Sequence, residues 1–166
     1  MTGGSFVDGL THLDPDGRVR MVDVGEKPLT RRVAVAEGRI RMRRATLDAI
    51  RAGEVEKGEA LAVARLAAIQ GAKAASTLIP LCHPIPLDAV DVGLEAEESP
   101  PAYRLSVRAS AEWRTGVEME AMAGVAAGLL ALYDMCKAID RGMLLGPIRL
   151  LEKRGGRSGA WTADAK

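Results

Sequence analysis

An α+β fold is what this sequence predicts, and three observations lead to it. Apolar residues alternate with period two in segments near the start, the middle and the end of the chain. Two other segments carry apolar residues at helical spacing. The resulting order is strand, helix, strand, strand, helix, strand, which is typical of a ferredoxin-like sandwich with an antiparallel sheet and helices packed on one face.

The predicted domain organisation is simple. A chain of 166 residues with 48% apolar side chains can bury one core of its own, so we expect a single domain over 31–159. Gly, Asp and Thr residues around an Asp-Pro-Asp-Gly turn predict a flexible N-terminal segment, 1–30. The residues after a Gly-Gly-Arg-Ser-Gly run predict a flexible tail, 160–166.

The first half of the domain should contain one strand and two helices. Alternation over 32–43, interrupted by a Glu-Gly pair, predicts a strand or a hairpin. Thr46 can cap a short helix, and Gly53 would end it. A longer helix is expected over 59–78, where small residues indicate close packing and three following prolines prevent continuation.

The second half repeats these elements in another order. Alternating residues over 87–95 and 103–109 predict two antiparallel strands joined by a turn. A long apolar pattern over 118–139 predicts a buried helix, which an Arg-Gly pair would end. The segment 146–153 is the last strand candidate.

Charge and composition argue against several classes of partner. The 23 basic and 22 acidic residues leave a net charge of +1, and 3% aromatic residues are too few for a base-stacking platform, so we expect no nucleic acid. The longest nearly unbroken apolar stretch, 121–133, is shorter than the ~18 to 20 residues of a membrane span, so no membrane partner is expected. Two cysteines and no leader pattern favour a cytoplasmic location.

Charged residues in the second helix are the first candidates for chemistry. Asp134 and Lys137 interrupt a stretch that is otherwise apolar, where a charge needs a partner or a task. Because residues three apart share a helix face, the pair is either an intrahelical ion pair or, if it is desolvated, a catalytic acid and base. Glu118 and Glu120 flank Met119 at the start of the same helix, and their ordinary role would be to complement the helix dipole.

Two loops supply further candidates. His83 follows Cys82 in a proline-bounded loop, but the chain has no Cys-x-x-Cys pair and no second nearby histidine, so we expect no metal. Lys57 precedes Gly58 between the two helices, where glycine permits a close approach to a ligand. No glycine-rich nucleotide loop is present, so any phosphate would be held by scattered Lys and Arg.

Four segments together resemble a known family. They are Lys57-Gly58, 79–84, 115–121 and 133–137, which read Lys-Gly, Ile-Pro-Leu-Cys-His-Pro, Thr-Gly-Val-Glu-Met-Glu-Ala and Tyr-Asp-Met-Cys-Lys. In this order they resemble the cyclic pyranopterin monophosphate synthases, the C proteins of molybdenum cofactor biosynthesis. Shorter matches extend the likeness from about residue 11 to 159.

The resemblance implies an enzyme, with 31–159 as its catalytic domain. The implied lyase reaction converts 3′,8-cyclo-7,8-dihydroguanosine 5′-triphosphate into cyclic pyranopterin monophosphate and pyrophosphate. It further implies a cytosolic homohexamer, a trimer of dimers with active sites between subunits, whose substrate comes from a radical S-adenosylmethionine enzyme. No cofactor is implied, and whether magnesium accompanies the triphosphate stays open.

The resemblance also implies roles for individual residues. The three residues that match its catalytic positions are Asp134, Lys57 and Lys137. Those that match its substrate-binding segments are Leu81, Cys82, His83, Met119 and Glu120, with Glu118 beside them. Two positions depart from the family pattern, because Arg114 and Arg157 stand where lysines are expected. Arginine keeps the charge for phosphate binding but does not serve in proton transfer.

Two alternatives remain from other classes. A ferredoxin-like fold can be a small-ligand-binding regulatory module without catalysis, because fold does not fix function. A magnesium-dependent phosphohydrolase would use Glu118, Glu120 and Asp134 as ligands, and it predicts that the three carboxylates lie within a few ångströms of one another.

Overall fold

A computed structural model describes residues 16–157 and 159–164, so residues 1–15 of the predicted flexible segment lie outside the described part. Its elements, in chain order, are β1 (Thr30–Arg41), α1 (Arg44–Ala52), α2 (Ala60–Lys73), α3 (Ala75–Leu78), β2 (Ala89–Glu98), β3 (Pro101–Trp113), α4 (Glu118–Cys136), β4 (Leu144–Arg154) and β5 (Trp161–Thr162).

The strands form one antiparallel sheet in the order β2-β3-β1-β4-β5. Helix α4 packs on β1, β3 and β4, and α2 packs beside it on β2. The core between the helices and the sheet is aliphatic, as the low aromatic content requires. This arrangement confirms the predicted ferredoxin-like α+β fold, to which β5 adds a short edge strand.

The central strand β1 corrects one prediction. The hairpin alternative for 32–43 is wrong, because β1 runs unbroken through Gly38 and pairs with β3 along its whole length. The Glu-Gly pair instead lies where the register with β4 shifts. Glycine is required there because a Cβ on Gly38 would lie 2.7 Å from Val125 Cγ1 of α4. The pair therefore lets α4 approach the sheet closely and makes no turn.

Close packing of α2 against α4 depends on small residues at their contact. A Cβ on Gly71 would lie 2.4 Å from Ala127 Cβ and 2.8 Å from the main-chain oxygen of Ala123. A Cβ on Gly128 of α4 would similarly lie 3.0 Å from Ala68 Cβ and 3.1 Å from the main-chain oxygen of Ala64, both on α2. The two backbones thus approach more closely than larger residues would allow.

Helix boundaries differ in three places from the predicted ones. The helix expected over 59–78 is two helices, because the chain breaks at Ala74. Helix α4 ends at Cys136, before its predicted end at 139. Thr46 is no cap: α1 starts two residues earlier, and the buried Thr46 hydroxyl lies 3.4 Å from Asp140 Oδ2. The predicted stop at Gly53 is confirmed by its φ of 72°.

The sheet face opposite the helices carries a buried ion network. Glu37 is 3% exposed, and its carboxylate accepts hydrogen bonds from Arg149 at 2.9 Å and Arg39 at 3.2 Å. Burial alone would raise the pKa of Glu37, but the bonds from Arg149 and Arg39 outweigh it and hold the pKa below its usual range. Paired in this way, a carboxylate is tolerated in the central strand.

Strand β5 lies within the segment 160–166. Its residues Trp161 and Thr162 pair with Lys153 and Glu152 of β4. The main-chain N–H of Ala163 also donates to the Leu151 carbonyl, at 2.8 Å.

Helix α4 has the length and mean hydropathy of a membrane span. Half of that helix is buried inside the protein, where it contacts α2 and three strands. Its apolar character is that of a core helix.

Candidate active site

One cavity of about 380 Å³ lies at the N-terminal end of α4. Its wall contains all six residues that the sequence suggests for substrate binding. They are Leu81, Cys82, His83, Glu118, Met119 and Glu120. The structure thus brings together two segments that are 35 residues apart in the chain, counted from His83 to Glu118, and their role in binding stays a prediction.

The loop that carries His83 is positioned by the end of α3. The Cys82 N–H donates to the Ile79 carbonyl at 3.1 Å, which turns the chain, and the prolines around it keep the following residues extended. Val22, Val24 and Lys27 also line the cavity. They lie within the predicted flexible segment 1–30 and were not predicted as site residues, although the apolar residues at 21, 22 and 24 were a usable signal.

Glu120 is a buried carboxyl group in this cavity. It is 3% exposed, and burial raises its pKa to about 7, with a further upward contribution from the charge of Glu118. The pKa of the Cys82 thiol is also raised, first by burial and then by Glu120. The cavity therefore holds a carboxyl group that can both bind and release a proton near neutral pH.

Glu118 lies on the wall of the same cavity although it is two residues from Glu120. It is the first residue of α4, and its side chain folds back over Gly116. A Cβ on Gly116 would lie 1.8 Å from Glu118 Oε2, so the carboxylate occupies the space beside this glycine. The other carboxylate oxygen of Glu118 lies 3.9 Å from Lys153 Nζ.

A second, basic cavity of about 540 Å³ adjoins the first. The two share Lys27, Thr115, Gly116 and Glu118 as a common wall. Six cationic side chains line the second cavity. They are Lys27, Arg32, Arg114, Lys153, Arg154 and Arg157. Such a concentration of positive charge suits a polyanion.

Main-chain contacts hold this basic wall in place. Arg32 donates to the carbonyls of Trp113 and Arg114, each at 3.2 Å. The buried Nε of Arg114 has no hydrogen-bond partner among the described residues. Gly156 has a φ of 75°, and a Cβ there would lie 1.9 Å from Arg32 Nη1. Most of these cations were missed from sequence, because they come from three separate segments with no common motif.

The predicted catalytic residues form a cluster at the other end of α4. Lys57 Nζ lies 2.7 Å from Asp134 Oδ2, and Lys137 Nζ lies 2.6 Å from Asp134 Oδ1. The hydrogen bonds from Lys137 and Lys57 lower the pKa of Asp134 to about 2. The side chains are 43–53% exposed, so the desolvation that would favour proton transfer is absent from the single chain.

The cluster and the cavity do not meet within one chain. Glu118 and Asp134 are sixteen residues apart on α4, which at ~1.5 Å per residue places them roughly 24 Å apart along the helix axis. Asp134 is therefore too far from Glu118 and Glu120 to share a metal ion with them. The geometry required by the magnesium-dependent phosphohydrolase is not met in this chain. Among the described residues, no group of three His, Cys, Asp or Glu side chains could hold a metal ion.

A comparison with known families decides the identity. A model of the MoaC family matches residues 21–156, which cover most of the chain and all nine of the predicted catalytic and substrate-binding residues. The chain belongs to the MoaC family. This is the cyclic pyranopterin monophosphate synthase family, so the protein is an enzyme of molybdenum cofactor biosynthesis.

Family membership gives meaning to the two arginine departures. Arg114 and Arg157 both line the basic cavity of this MoaC protein. Both therefore add positive charge to that cavity, and neither belongs to the cluster around Asp134.

Proposed function

We propose that this MoaC protein is cyclic pyranopterin monophosphate synthase itself. Its substrate would be 3′,8-cyclo-7,8-dihydroguanosine 5′-triphosphate, and its products cyclic pyranopterin monophosphate and pyrophosphate. One observation carries the proposal: a cavity with a buried carboxyl group shares a wall with a cavity lined by six cations. A ligand with a purine-like end and a triphosphate end has matching chemistry at both.

The basic cavity is where the departing pyrophosphate would be stabilised. Lys and Arg side chains oriented before the reaction lower the free energy of charge that develops on a leaving phosphate. Arg114 supports this role, because it lines the basic cavity and its guanidinium keeps a positive charge there. No resident cofactor is needed for this assignment, and a magnesium ion carried by the triphosphate is compatible with it.

The cluster of Lys57, Asp134 and Lys137 would perform proton transfer. Opening the imidazole ring and closing the pyran ring both require protons to move, and paired lysine and carboxylate groups supply them. An ionised Asp134 holds both ammonium groups within hydrogen-bond distance. Which lysine donates and which accepts is left open by this symmetric arrangement.

Because the cluster lies roughly 24 Å from the cavity, we propose that a complete site needs two subunits. The cluster of one chain would cover the cavity of its neighbour and be shielded from water there. A homohexamer built as a trimer of dimers, in the cytoplasm, is the assembly we propose, with a radical S-adenosylmethionine enzyme supplying the substrate.

The test of the activity is a turnover assay with the cyclic dihydroguanosine triphosphate. The pyranopterin is detected by its fluorescence after oxidation, and Lys57→Ala is the matched control. Product from the native chain alone would support the proposal. If a well-folded assembly binds the substrate but forms no product, the small-ligand-binding regulatory module becomes the better description.

A mixing experiment tests the shared site. Asp134→Asn and His83→Ala chains are assayed alone and after joint refolding at substrate concentrations below KM. If the site spans two subunits, mixing should restore part of the activity, because some sites then combine an intact cluster with an intact cavity. If both residues serve one chain, the mixture should be no more active than the average of its components.

A further inference from the structure

A carboxylate at the boundary between the two cavities is chemically out of place. Glu118 is the one acidic residue, among the described residues, that lines the basic cavity with its six cations. It also lines the first cavity, as does the buried Glu120. A negative charge beside a polyanion site weakens anion binding, so its position needs a reason other than affinity.

Two neighbours define the position of the Glu118 carboxylate. It lies over Gly116, where a Cβ would be 1.8 Å from Oε2. Lys153 Nζ lies 3.9 Å from Oε1 on the other side, and the side chain of Glu118 is 30% exposed. The carboxylate is thus partly buried, held between two walls, and faces both cavities.

On the basis of the proposed function, we infer that Glu118 is a specificity-determining residue that orients the substrate. Its negative charge repels phosphate groups from the first cavity and confines them to the basic cavity. The uncharged ring system carries N–H donors that a carboxylate accepts, so this end of the molecule is tolerated beside Glu118. The residue thereby decides which end of the substrate enters which cavity.

The inference is tested by binding and does not require turnover. Pyrophosphate is titrated calorimetrically into the native protein and into Glu118→Gln, which removes the charge and keeps the shape. We expect the variant to bind pyrophosphate about fivefold more tightly or better, the effect of removing one like charge at ~4 Å even in a water-like dielectric. Binding of uncharged guanosine is measured by saturation-transfer NMR, and Glu118→Gln should bind it no more tightly than the native protein does.

Two control variants distinguish charge from shape. Glu118→Asp keeps the charge and should bind pyrophosphate as the native chain does. Glu112→Gln makes the same charge change at an exposed residue of β3 that lines neither cavity. It should leave pyrophosphate binding unchanged. Circular dichroism of each variant confirms that the fold persists.

Three results would overturn the inference. Glu118→Gln could bind pyrophosphate no more tightly than the native chain, or pyrophosphate and guanosine could gain affinity equally. The native chain could also fail to bind pyrophosphate, which would remove the basic cavity as a polyanion site. The turnover assay answers the separate question of activity, so either proposal can fail alone.

Discussion

The two ends of α4 present the same chemical group in opposite environments. At the N-terminal end, Glu120 is 3% exposed and burial raises its pKa to about 7. At the C-terminal end, the side chain of Asp134 is 53% exposed and hydrogen bonds from Lys137 and Lys57 lower its pKa to about 2. One carboxyl group is governed by desolvation and the other by its neighbours.

Under the proposed function, this difference separates substrate binding from proton transfer along the helix. At the N-terminal end of α4, a single chain already forms a cavity, whose walls come from three segments. The open end is a charged cluster that water can reach. A surface cluster of this kind contributes little to stability, so its presence in an otherwise apolar helix is better explained by a task than by folding.

The largest expected effect concerns the open end. Asp134→Asn and Lys57→Ala should each lower kcat by roughly 10²- to 10⁴-fold, the usual contribution of a positioned acid or base. Their urea midpoints should stay close to native, because the side chains are half-exposed. Asp48→Asn is the matched control, an aspartate of 57% exposure on α1, and should keep full activity. Parallel loss of folding in the Asp134 variant would instead make the cluster structural.

The second effect concerns Glu120 at the N-terminal end of α4, and it is a dependence of stability on pH. Between the ordinary pKa of 4.5 and the raised value of about 7, folded Glu120 keeps a proton that the unfolded chain has lost. The free energy of unfolding should therefore fall as pH rises through this window, by roughly 3 kcal/mol in total. Urea unfolding at pH 4.5 and at pH 7.5 measures the change.

Glu120→Gln should abolish that part of the pH dependence, since glutamine does not titrate. Glu112→Gln, at an exposed position, should retain it. Equal slopes in Glu120→Gln and the native chain would mean that Glu120 is ionised in the folded state, and the contrast between the two ends would disappear.

The smallest effect concerns the helix between the two ends. Gly71→Ala puts a Cβ 2.8 Å from a main-chain oxygen of α4, which must move, so we expect a loss of about 1 to 3 kcal/mol in the free energy of unfolding. Gly142→Ala meets nothing closer than 3.4 Å and should change stability little. Chemical denaturation measures both, and a stable Gly71→Ala chain would show that α4 can shift without cost.

The order of elements could be read from sequence because periodicity reports burial on one face. Ion pairs over short separations were also readable, as Asp134 and Lys137 are one turn apart. The pairing of Lys57 with Asp134 spans 77 residues and depends on how α1 leads into α2, which periodicity does not describe. The buried ion network of Glu37 could not be predicted from the sequence, because its three arginine partners come from three strands.

The basic cavity was the largest omission, for a physical reason. Its cations lie before β1, on β1, after β3, on β4 and after β4, so no spacing in the chain reveals them. Only the antiparallel order of the sheet brings those ends together. Net charge concealed them as well, because a total of +1 averages over the whole chain.

Strand β5 has a consequence for chain entropy. The glycines at 155 and 156 would be free to explore many conformations, but pairing of Trp161 and Thr162 with β4 closes the segment at both of its ends. Arg157 is thereby kept at the cavity wall before any ligand arrives. A chain that ended before Trp161 would keep all six cations and lose their preorganisation, so it would bind polyanions more weakly with its charge unchanged.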